Sequence, residues 1–556
     1  MAPAIKDLPA FAGATAVSLF LLLVLFAPRF WRRAAAVVPR RRLPAWLTLL
    51  LPAVLALAIR LALLPWAGVP APAVHDEFAY LLAADTFAAG RVTNRPHPMW
   101  TFFESFHIIV QPTYTAKYPP GQGLALALGQ AVFGRPWAGV LLSVAAMVAA
   151  TSWMLAGWLP AGWTRLGGIL MAFQYGVCSY WMNSYWGGAV AAFGGALLLG
   201  AYRRLTSASS SARYPLHALL LALAMGMLAN SRPWEGLVLS LPLGSIFLYW
   251  VLHAEAARRR ERLRRALLPF ALTLGAAIAA TSWYCWRVTG DPLRLPYSVH
   301  EEQYSMLPLL PWQQARPEPS YRHAEIRRFH TEWEPAHQAE GLPRNRPLWL
   351  AQWPGKLDLF TRTIVSPTLM ALGVAFYGLL AWLVWRRREF RIPAFLLLCC
   401  HAGVVLQRVI ELHYLAPAVP LCLLLQLGVL RLLHAARYRG RRLGQAVAAA
   451  GILAAAVVLW NSWRAHTAED EFGVARRDLV RMLEAVPGRH VVMVRYSPRH
   501  DVNKEWVYNR ADIDGARIVW ARWQGDRNSD LFAYFRGRSF WLLEPDTAPG
   551  KLAPLR

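Results

Sequence analysis

The sequence predicts an all-α polytopic membrane protein of about 12 spans that ends in a small α/β module, and three observations support this fold class. Of 556 residues, 56% are hydrophobic and only 16% are charged, which is far more apolar than an ordinary soluble protein. The apolar residues are gathered into many segments of about 15–24 residues, the length that crosses a bilayer core. These segments are continuous, without apolar–polar alternation, which favours helices over strands.

The basic residues occupy short loops between the apolar segments. The formal net charge is +27, and this distribution follows the positive-inside rule for cytoplasmic loops. The sequence contains no separate basic domain or nucleic-acid recognition motif, so we expect no nucleic-acid partner. The five cysteines lie in or beside predicted spans without CxxC or metal-type spacing, which indicates small packing residues.

The order of apolar and basic segments predicts the topology. An extra N-terminal span, 11–27, and a basic cytoplasmic loop make up residues 1–42. A transmembrane domain follows over 43–463, with long outer loops at 67–123 and 287–358. The other predicted spans are 43–66, 140–158, 166–180, 189–199, 216–228, 237–252, 266–286, 364–385, 392–405, 415–430 and 446–460. This arrangement places every dense basic loop on the cytoplasmic side.

Two further segments complete the predicted organisation. Segment 124–133 is apolar but short, so it either packs at the membrane without crossing or crosses incompletely. Residues 464–556 read as a soluble extracytoplasmic module over the same face as loop 67–123. Within this module we predict helices at 476–483 and 530–536 and strands at 490–496, 517–521 and 539–543. That alternation is typical of a small α/β unit with a partly parallel sheet.

Loop 67–123 carries an acidic pair directly after a predicted span. Asp76 and Glu77 therefore lie where a span meets water, and adjacent carboxylates at that depth are costly unless they have a use. The alternative is that they cap the helix that follows. Residues 78–89 have a helical pattern and 99–109 are rich in aromatics, so we expect short amphipathic helices along the membrane surface.

In this topology the informative polar clusters all fall on the outer face. A carboxylate there can act as a general base or hold a metal ion, and Arg or Lys can hold a phosphate. These residue types suit a phosphate-bearing lipid and a second substrate arriving from water. The clusters are Asp76 with Glu77, Glu104 with His107, Lys117, Asn183, Arg232 with Glu235, and Arg408 with Glu411 and His413.

The first-loop members of these clusters have alternative explanations. Glu104 and His107 are one helical turn apart, which fits either a metal pair or a contact on a surface helix. Lys117 can hold a phosphate or simply snorkel to the interface. His300 and the other loop histidines are expected to be plain polar surface.

The later clusters also have two explanations each. Residues 180–186 are rich in Tyr and Trp and fit either a substrate platform or an interfacial aromatic belt. Arg232 and Glu235 fit either a substrate site or a local ion pair.

The two ends of loop 67–123 resemble a known family. An Asp-Glu pair after an early span, followed by a Lys-x-Pro-Pro motif, resembles the GT-C membrane glycosyltransferases, closest to the protein O-mannosyltransferase and aminoarabinose transferase group. Asp76 and Glu77 match the group's pair, whose aspartate is the catalytic carboxylate. Lys117-Tyr118-Pro119-Pro120 is similar to its Lys-Pro-Pro motif, with Tyr118 inserted. The resemblance covers residues 43–460.

The chain departs from the group's pattern in two places. The first span, 11–27, precedes the usual first span. The second acidic residue that the group often carries in a later outer loop is not evident, because residues 180–185 contain only Asn183. These departures leave the metal and the acceptor class open.

The resemblance implies transfer of a sugar from a polyprenyl-phosphate donor to a glycan, lipid or protein acceptor on the outer face of a bacterial inner membrane. Asp76 would be the base, with Glu77 supporting it, and Lys117, Arg232 and Arg408 would hold the donor phosphate. No cofactor is certain, and a divalent metal has Asp76, Glu104 and His107 as candidate ligands. Further substrate-binding candidates are Tyr118, Asn183, Tyr185, Glu235 and His413.

Two alternatives to the enzyme come from other classes of protein. A transporter or flippase of a lipid-linked saccharide predicts polar residues along a mid-membrane path, whereas here they gather at one face. A non-catalytic envelope scaffold predicts that substitutions of Asp76 leave function intact.

Overall fold

The structure, a computed structural model, describes residues 44–307, 313–339, 375–407, 411–437, 470–547 and 551–555, together with the single residues 355 and 444. Three predicted features therefore lie outside the described residues: the N-terminal segment 1–42, the span 446–460 and Arg408. Of the predicted span 364–385, only the part from residue 375 is described.

Helices form most of the membrane domain, and the majority of them are long and apolar. They are α1 (Ala45–Ala62), the short α2 (Leu64–Ala67), α4 (Pro120–Phe133), α5 (Pro136–Ala156), α6 (Ala161–Ala172), α7 (Ala189–Thr206), α8 (Tyr214–Ala229), α9 (Pro233–Leu252), α10 (Ala256–Arg262), α11 (Leu268–Thr289), α15 (Ala375–Arg386), α16 (Arg391–Val405) and α17 (Val419–Ala435). In the described part of the chain, five helices are long and apolar enough to cross a bilayer: Pro136–Ala156, Ser211–Ala229, Pro233–Leu252, Ala256–Thr289 and His413–Ala435. These helices fit a multi-pass membrane protein, and the count of about 12 spans stays a prediction.

Glycines allow α4 and α5 to cross at very short range. A Cβ on Gly139 would lie 2.0 Å from the Ala125 carbonyl oxygen, and one on Gly129 would lie 2.0 Å from the Gly139 nitrogen. Such contacts between small residues bring helix backbones together in membranes. The 14 residues of α4 span about 21 Å at 1.5 Å per residue, less than the roughly 30 Å of a hydrocarbon core. Segment 124–133 is therefore too short to cross alone.

The first outer loop is only partly helical. The predicted helix 78–89 is present as α3 (His75–Ala88), which begins three residues earlier. The predicted helix 99–109 is wrong: a 3-10 turn at Trp100–Phe102 leads to β1 (Ile108–Ile109), which pairs antiparallel with β2 (Thr115–Ala116). The aromatic side chains of this stretch are buried in two separate cores rather than along one helix face.

Short helices make up the described part of the second outer loop. They are α12 (Pro296–Tyr304), α13 (Ala324–Arg328), a π-helical turn (Phe329–Trp333) and α14 (Glu334–Ala339). Pro296 stands at the first position of α12, where its missing N–H costs nothing. These helices lie against the first loop, where Phe329 and Ile326 pack on Phe106.

The C-terminal residues form a four-stranded sheet flanked by helices. Its elements are α18 (Glu471–Ala485), β3 (His490–Val494), β4 (Ile518–Arg522), α19 (Asn528–Tyr534), β5 (Ser539–Glu544) and β6 (Lys551–Pro554). The strand order is β4-β3-β5-β6; β3 is parallel to both neighbours and β6 is antiparallel to β5. The three predicted strands are present, and sequence analysis missed β6.

The C-terminal sheet shares one hydrophobic core with the first outer loop. Phe78, Leu82 and Phe102 from the loop are buried together with Val492 and Trp520 from the sheet. The sheet therefore does not pack as a separate unit, because a loop some 400 residues earlier in the chain supplies part of its interior.

Candidate functional site

Asp76 is the second residue of α3, and both ends of the first outer loop meet at its carboxylate. The Tyr118 hydroxyl donates a hydrogen bond to Asp76 Oδ1. His107 Nε2 lies 4.0 Å from Asp76 Oδ2, and the Asp76 side chain remains 26% exposed. This carboxylate is thus oriented by protein groups on one side and open on the other.

Glu77 points the opposite way and holds the start of α3. Its Oε2 accepts hydrogen bonds from the backbone N–H of Ala73 (2.8 Å) and Val74 (3.2 Å), and its Oε1 accepts one from Tyr185 N (2.9 Å). Burial raises the pKa of Glu77 to about 7, against the effect of these backbone donors. The alternative explanation, that the carboxylates cap the following helix, is therefore correct for Glu77. The Asp76 side chain does not cap α3.

Lys117 is buried in an ion pair that the sequence did not indicate. Its Nζ lies 3.4 Å from Glu301 Oε1 on α12 and 4.8 Å from the centre of the Tyr297 ring. Burial opposes ionisation of Glu301, but Lys117 and the neighbouring His300 outweigh it and lower the pKa of Glu301 to about 2. The snorkelling explanation for Lys117 is wrong, because both partners are buried.

Four histidines lie around this pair, of which His75, His300 and His330 are buried and His107 is partly exposed. Successive ring centres of His75, His107, His300 and His330 are 5.7, 6.0 and 6.0 Å apart. Burial lowers the pKa of His75 to about 4 and that of His300 to about 3, so both are neutral at pH 7. The expectation that His300 is plain surface is wrong, since it is fully buried beneath the two outer loops.

Glu104 and His107 do not face a common ligand. His107 has φ +62°, a left-handed conformation that removes the helical spacing on which their pairing was predicted. Glu104 Oε1 accepts a hydrogen bond from Tyr304 (3.0 Å), and His323 Nε2 lies 3.2 Å from Glu104 Oε2. Within the described ranges, no group of three or more His, Cys, Asp or Glu side chains is arranged to hold a metal ion.

The side chains of Asn183 and Tyr185 make hydrogen bonds to other parts of the protein beneath α3. Asn183 Oδ1 accepts a hydrogen bond from Arg60 Nε (2.8 Å), and its amide donates to the carbonyls of Val177 and Ser179. The Tyr185 hydroxyl donates to the Pro70 carbonyl (3.1 Å). Both side chains are buried, so these contacts fix segment 179–186 rather than form an interfacial belt.

Arg232 and Glu235 do not form the ion pair that one explanation required. The Arg232 guanidinium lies 4.4 Å from the centre of the Tyr414 ring, and no carboxylate in the described part of the chain is within 4 Å of it. Glu235 instead accepts a hydrogen bond from Gln407 Nε2 (2.8 Å). His413 is buried against Trp186, with ring centres 4.5 Å apart.

Tyr80 links Arg232 to the Asp76 region. Its ring stacks on that of Tyr118, with centres 4.7 Å apart. Burial raises the pKa of Tyr80 to about 12, with Arg232 opposing and Asp76 adding to this change. Asp76, Tyr118 and Tyr80 thus form a contiguous group, and Arg232, which stacks on Tyr414, acts on this group electrostatically.

Sequence analysis missed the residues of α12 that complete the site. Tyr297, His300, Glu301 and Tyr304 follow one another at helical spacing, and all four side chains turn toward the first loop. Polar and aromatic residues at positions i, i+3, i+4 and i+7 occupy one helix face. That pattern in a long outer loop was the sequence signal from which this helix and its buried polar face could have been predicted.

Comparisons by sequence find no matching family model and no matching curated protein. Solved structures do show a similar fold. ArnT from Cupriavidus metallidurans in the apo state has a TM-score of 0.50 at 12% identity, over 88% of this chain and 92% of that chain. The resemblance to GT-C glycosyltransferases is therefore confirmed at the level of the fold.

Two further structures are similar at lower scores. ArnT from Cupriavidus metallidurans bound to undecaprenyl phosphate has a TM-score of 0.46, with the same identity and coverage. The Archaeoglobus fulgidus oligosaccharyltransferase tethered with an acceptor peptide containing the NVT sequon also has a TM-score of 0.46, at 12% identity over 80% of this chain. The matched part is 62% of that archaeal chain, less than two thirds of its length.

Proposed function

We propose that the protein is a membrane glycosyltransferase that moves a sugar from a polyprenyl-phosphate donor to an acceptor, with Asp76 as the general base. One observation carries this proposal: Asp76 is partly exposed and oriented by the Tyr118 hydroxyl, which belongs to a tyrosine pair on which the Arg232 guanidinium acts electrostatically. The fold shared with ArnT favours this class of chemistry, and undecaprenyl phosphate in an ArnT complex suggests the class of donor.

Asp76 would remove the proton from an acceptor hydroxyl or amine. The freed oxygen or nitrogen forms a bond to the anomeric carbon of the sugar while the bond from that carbon to the phosphate oxygen breaks. Polyprenyl phosphate leaves with the electron pair. Because Tyr118 holds Oδ1, the Oδ2 oxygen is the one left to receive the proton.

The leaving phosphate needs a cation whose charge is not already neutralised. Arg232 meets this requirement because no carboxylate in the described ranges lies within 4 Å of its guanidinium, which also has the fork geometry that suits phosphate. Lys117 is engaged with Glu301, so it would bind the phosphate only by exchanging that partner. Arg408 remains a predicted phosphate ligand outside the described residues.

The other predicted substrate-binding residues support the site in different ways. Tyr118 orients the carboxylate directly. Asn183 and Tyr185 hold the segment on which Glu77 and α3 rest. Glu235 and Tyr414 line the cavity between α9 and α16, and His413 packs against the Tyr414 ring.

We place this site on the extracytoplasmic face of a bacterial inner membrane. The support is the distribution of charge along the helices. For example, α7 begins beside Trp186, near the site, and ends with Arg203 and Arg204 in its last turn. Likewise, α9 begins next to Arg232, and its other end leads into α10 and the basic cluster at 258–265. Basic residues mark the cytoplasmic ends of spans.

The test is release of polyprenyl phosphate by the purified protein in nanodiscs, comparing wild type with Asp76→Asn across a panel of polyprenyl-phosphate sugars. We expect wild-type release and a loss of at least 1,000-fold in the variant, with donor binding retained because Asp76 contacts the acceptor side. Wild-type turnover by Asp76→Asn would refute the role of Asp76. Failure of the wild type to bind any donor of the panel would refute the proposed function.

A further inference from the structure

The helix that carries Asp76 packs against α4 and, in addition, against the C-terminal module. Phe78, Ala79, Leu82 and Ala83 of α3 are buried in the core that the loop shares with residues 472–543. On the other side of α3, Glu77 is bound to the backbone of Tyr185. The direction of the Asp76 side chain therefore depends on the contacts that fix α3 on these two sides.

Segment 508–511 contacts α3 at two points. The Tyr508 ring is stacked on Phe78, with centres 4.4 Å apart and planes within 7° of parallel. Farther along, Arg510 Nη2 and Ala511 N donate hydrogen bonds of 2.8 and 2.9 Å to the two oxygens of Asp85. Seven residues of helix separate the two points, about 10 Å along its axis. Contacts at two separate points fix both the position and the tilt of α3.

The two points of contact differ in strength. The Arg510 side chain is 69% exposed, so its ion pair with Asp85 contributes little alone. The Tyr508–Phe78 stack is buried, and aromatic pairs of this geometry contribute beyond the apolar area that they bury. Tyr508 is therefore the residue whose removal should release α3.

Arg476 fixes the stack in place. Its guanidinium lies 4.6 Å from the centre of the Phe78 ring and 4.8 Å from that of Trp520, and its Nη2 donates to the Tyr508 carbonyl (3.1 Å). Cation–π contacts with two rings and a backbone hydrogen bond hold one planar group in a single orientation. The stack is thus tied to the sheet through Trp520.

The same segment also holds the returning limb of the loop. The Tyr508 hydroxyl donates to the Phe106 carbonyl (3.4 Å), and the Tyr114 hydroxyl donates to the Asn509 carbonyl (3.2 Å). Phe106 directly precedes His107, whose ring faces Asp76. Segment 508–511 therefore contacts both parts of the loop that meet at the Asp76 carboxylate.

We infer that segment 508–511 is a positioning element that aims Asp76 at the acceptor, with Tyr508 as its principal residue. It makes and breaks no covalent bond. The C-terminal sheet thus belongs to the catalytic machinery without contacting substrate. The kinetic part of this inference rests on the proposed function, because only a transferase provides a rate to measure.

The kinetic test compares Tyr508→Ala with Tyr508→Phe in the full-length protein in nanodiscs. A small misplacement of a reacting group can cost about 100-fold in rate. We expect Tyr508→Ala to lower kcat by 10- to 100-fold with KM for the donor changed less than threefold. Tyr508→Phe, which keeps the stack and loses the hydrogen bonds of the hydroxyl, should retain at least half of kcat. A kcat within twofold of wild type for Tyr508→Ala would overturn the inference.

The matched control is Phe532→Ala, which removes a ring that packs on Phe540 within the same sheet module. We expect Phe532→Ala to lower the melting temperature about as much as Tyr508→Ala does while kcat stays within twofold of wild type. An equal loss of kcat in both variants would show that the sheet affects the site only through overall stability, and the positioning role would be lost.

Hydrogen exchange tests the inference without any assay of activity. Tyr508→Ala should raise amide exchange in α3 at least tenfold and leave that of β3 unchanged, because β3 lies in the middle of the sheet. Unchanged exchange in α3 would overturn the positioning role. If the wild type transfers no sugar, the proposed function fails by itself, and this experiment still decides whether segment 508–511 holds α3.

Discussion

Replacing Lys117 by Met would leave the Glu301 carboxylate buried without its partner. The two side chains are both buried, with Nζ and Oε1 3.4 Å apart. Met preserves the length of the lysine stem and removes only the charge. We therefore expect the free energy of unfolding to fall because of electrostatics rather than lost packing.

Two lines of reasoning give the size of this loss. Breaking one partner of a buried ion pair typically costs about 3–5 kcal/mol. The lowering of the pKa of Glu301 from 4.5 to about 2, to which Lys117 and the neighbouring histidines contribute, corresponds in total to about 3 kcal/mol of stability. Both point to a loss of about 3 kcal/mol at pH 7. Because the pKa is lowered in the folded protein, this stability is present above about pH 4.5 and is lost as the pH falls toward 2.

The assay is reversible unfolding in mixed micelles for wild type, Lys117→Met, Glu301→Gln and the double variant. The Lys117→Met variant should lose about 3 kcal/mol, and the double variant should recover most of it, because the neutral amide no longer needs a cation. A loss below about 1 kcal/mol in Lys117→Met, with no coupling between the two sites, would refute the reasoning that this pair is buried and mutually dependent.

Three further outcomes are expected. Tyr118→Phe, which removes the hydroxyl bound to Asp76, should lower kcat for polyprenyl phosphate release by about 10- to 100-fold without altering the melting temperature; a wild-type rate would contradict this. Arg232→Met should weaken equilibrium donor binding by about 10- to 100-fold, and Arg232→Lys should restore part of it; equal affinity in all three proteins would count against a phosphate site there. Gly139→Ala should cost about 1–3 kcal/mol because its Cβ would meet a backbone oxygen at 2.0 Å. Its control is Gly275→Ala, whose Cβ meets nothing within 4 Å, and a similar loss in both variants would disprove the close crossing.

The first loop shows what local sequence can predict about this site. Asp76 and Tyr118 were found because each stands beside a strong local signal: the end of a span for one, a Pro-Pro helix start for the other. The structure brings these two side chains together as a hydrogen-bonded pair. The fold class was predictable for the same reason, since hydrophobic periodicity and basic loops are read within short windows.

The rest depends on contacts between distant parts of the chain. Lys117 and Glu301 are 184 residues apart, and nothing near either residue indicates its partner. His107 was assigned to a helix by its spacing from Glu104, but its left-handed φ follows from the pairing of β1 with β2 and the packing of two loops. Tertiary packing overrides local preference in such segments. For the burial of His300 the only local signal was the helical spacing of residues 297–304, and it is weak because a polar loop residue is usually exposed.

The core that the first loop shares with the C-terminal sheet has a consequence for biogenesis. Arg510 and Asp85 are 425 residues apart, so segment 508–511 is synthesised long after α3 itself. Until then Phe78, Leu82 and Phe102 lack much of the interior that covers them, and contacts of such high sequence separation form late. The membrane helices can thus be inserted before the first outer loop acquires its final shape. Synthesis of segment 508–511 is then the step that lets α3 acquire these contacts, and chains that stop before it lack them.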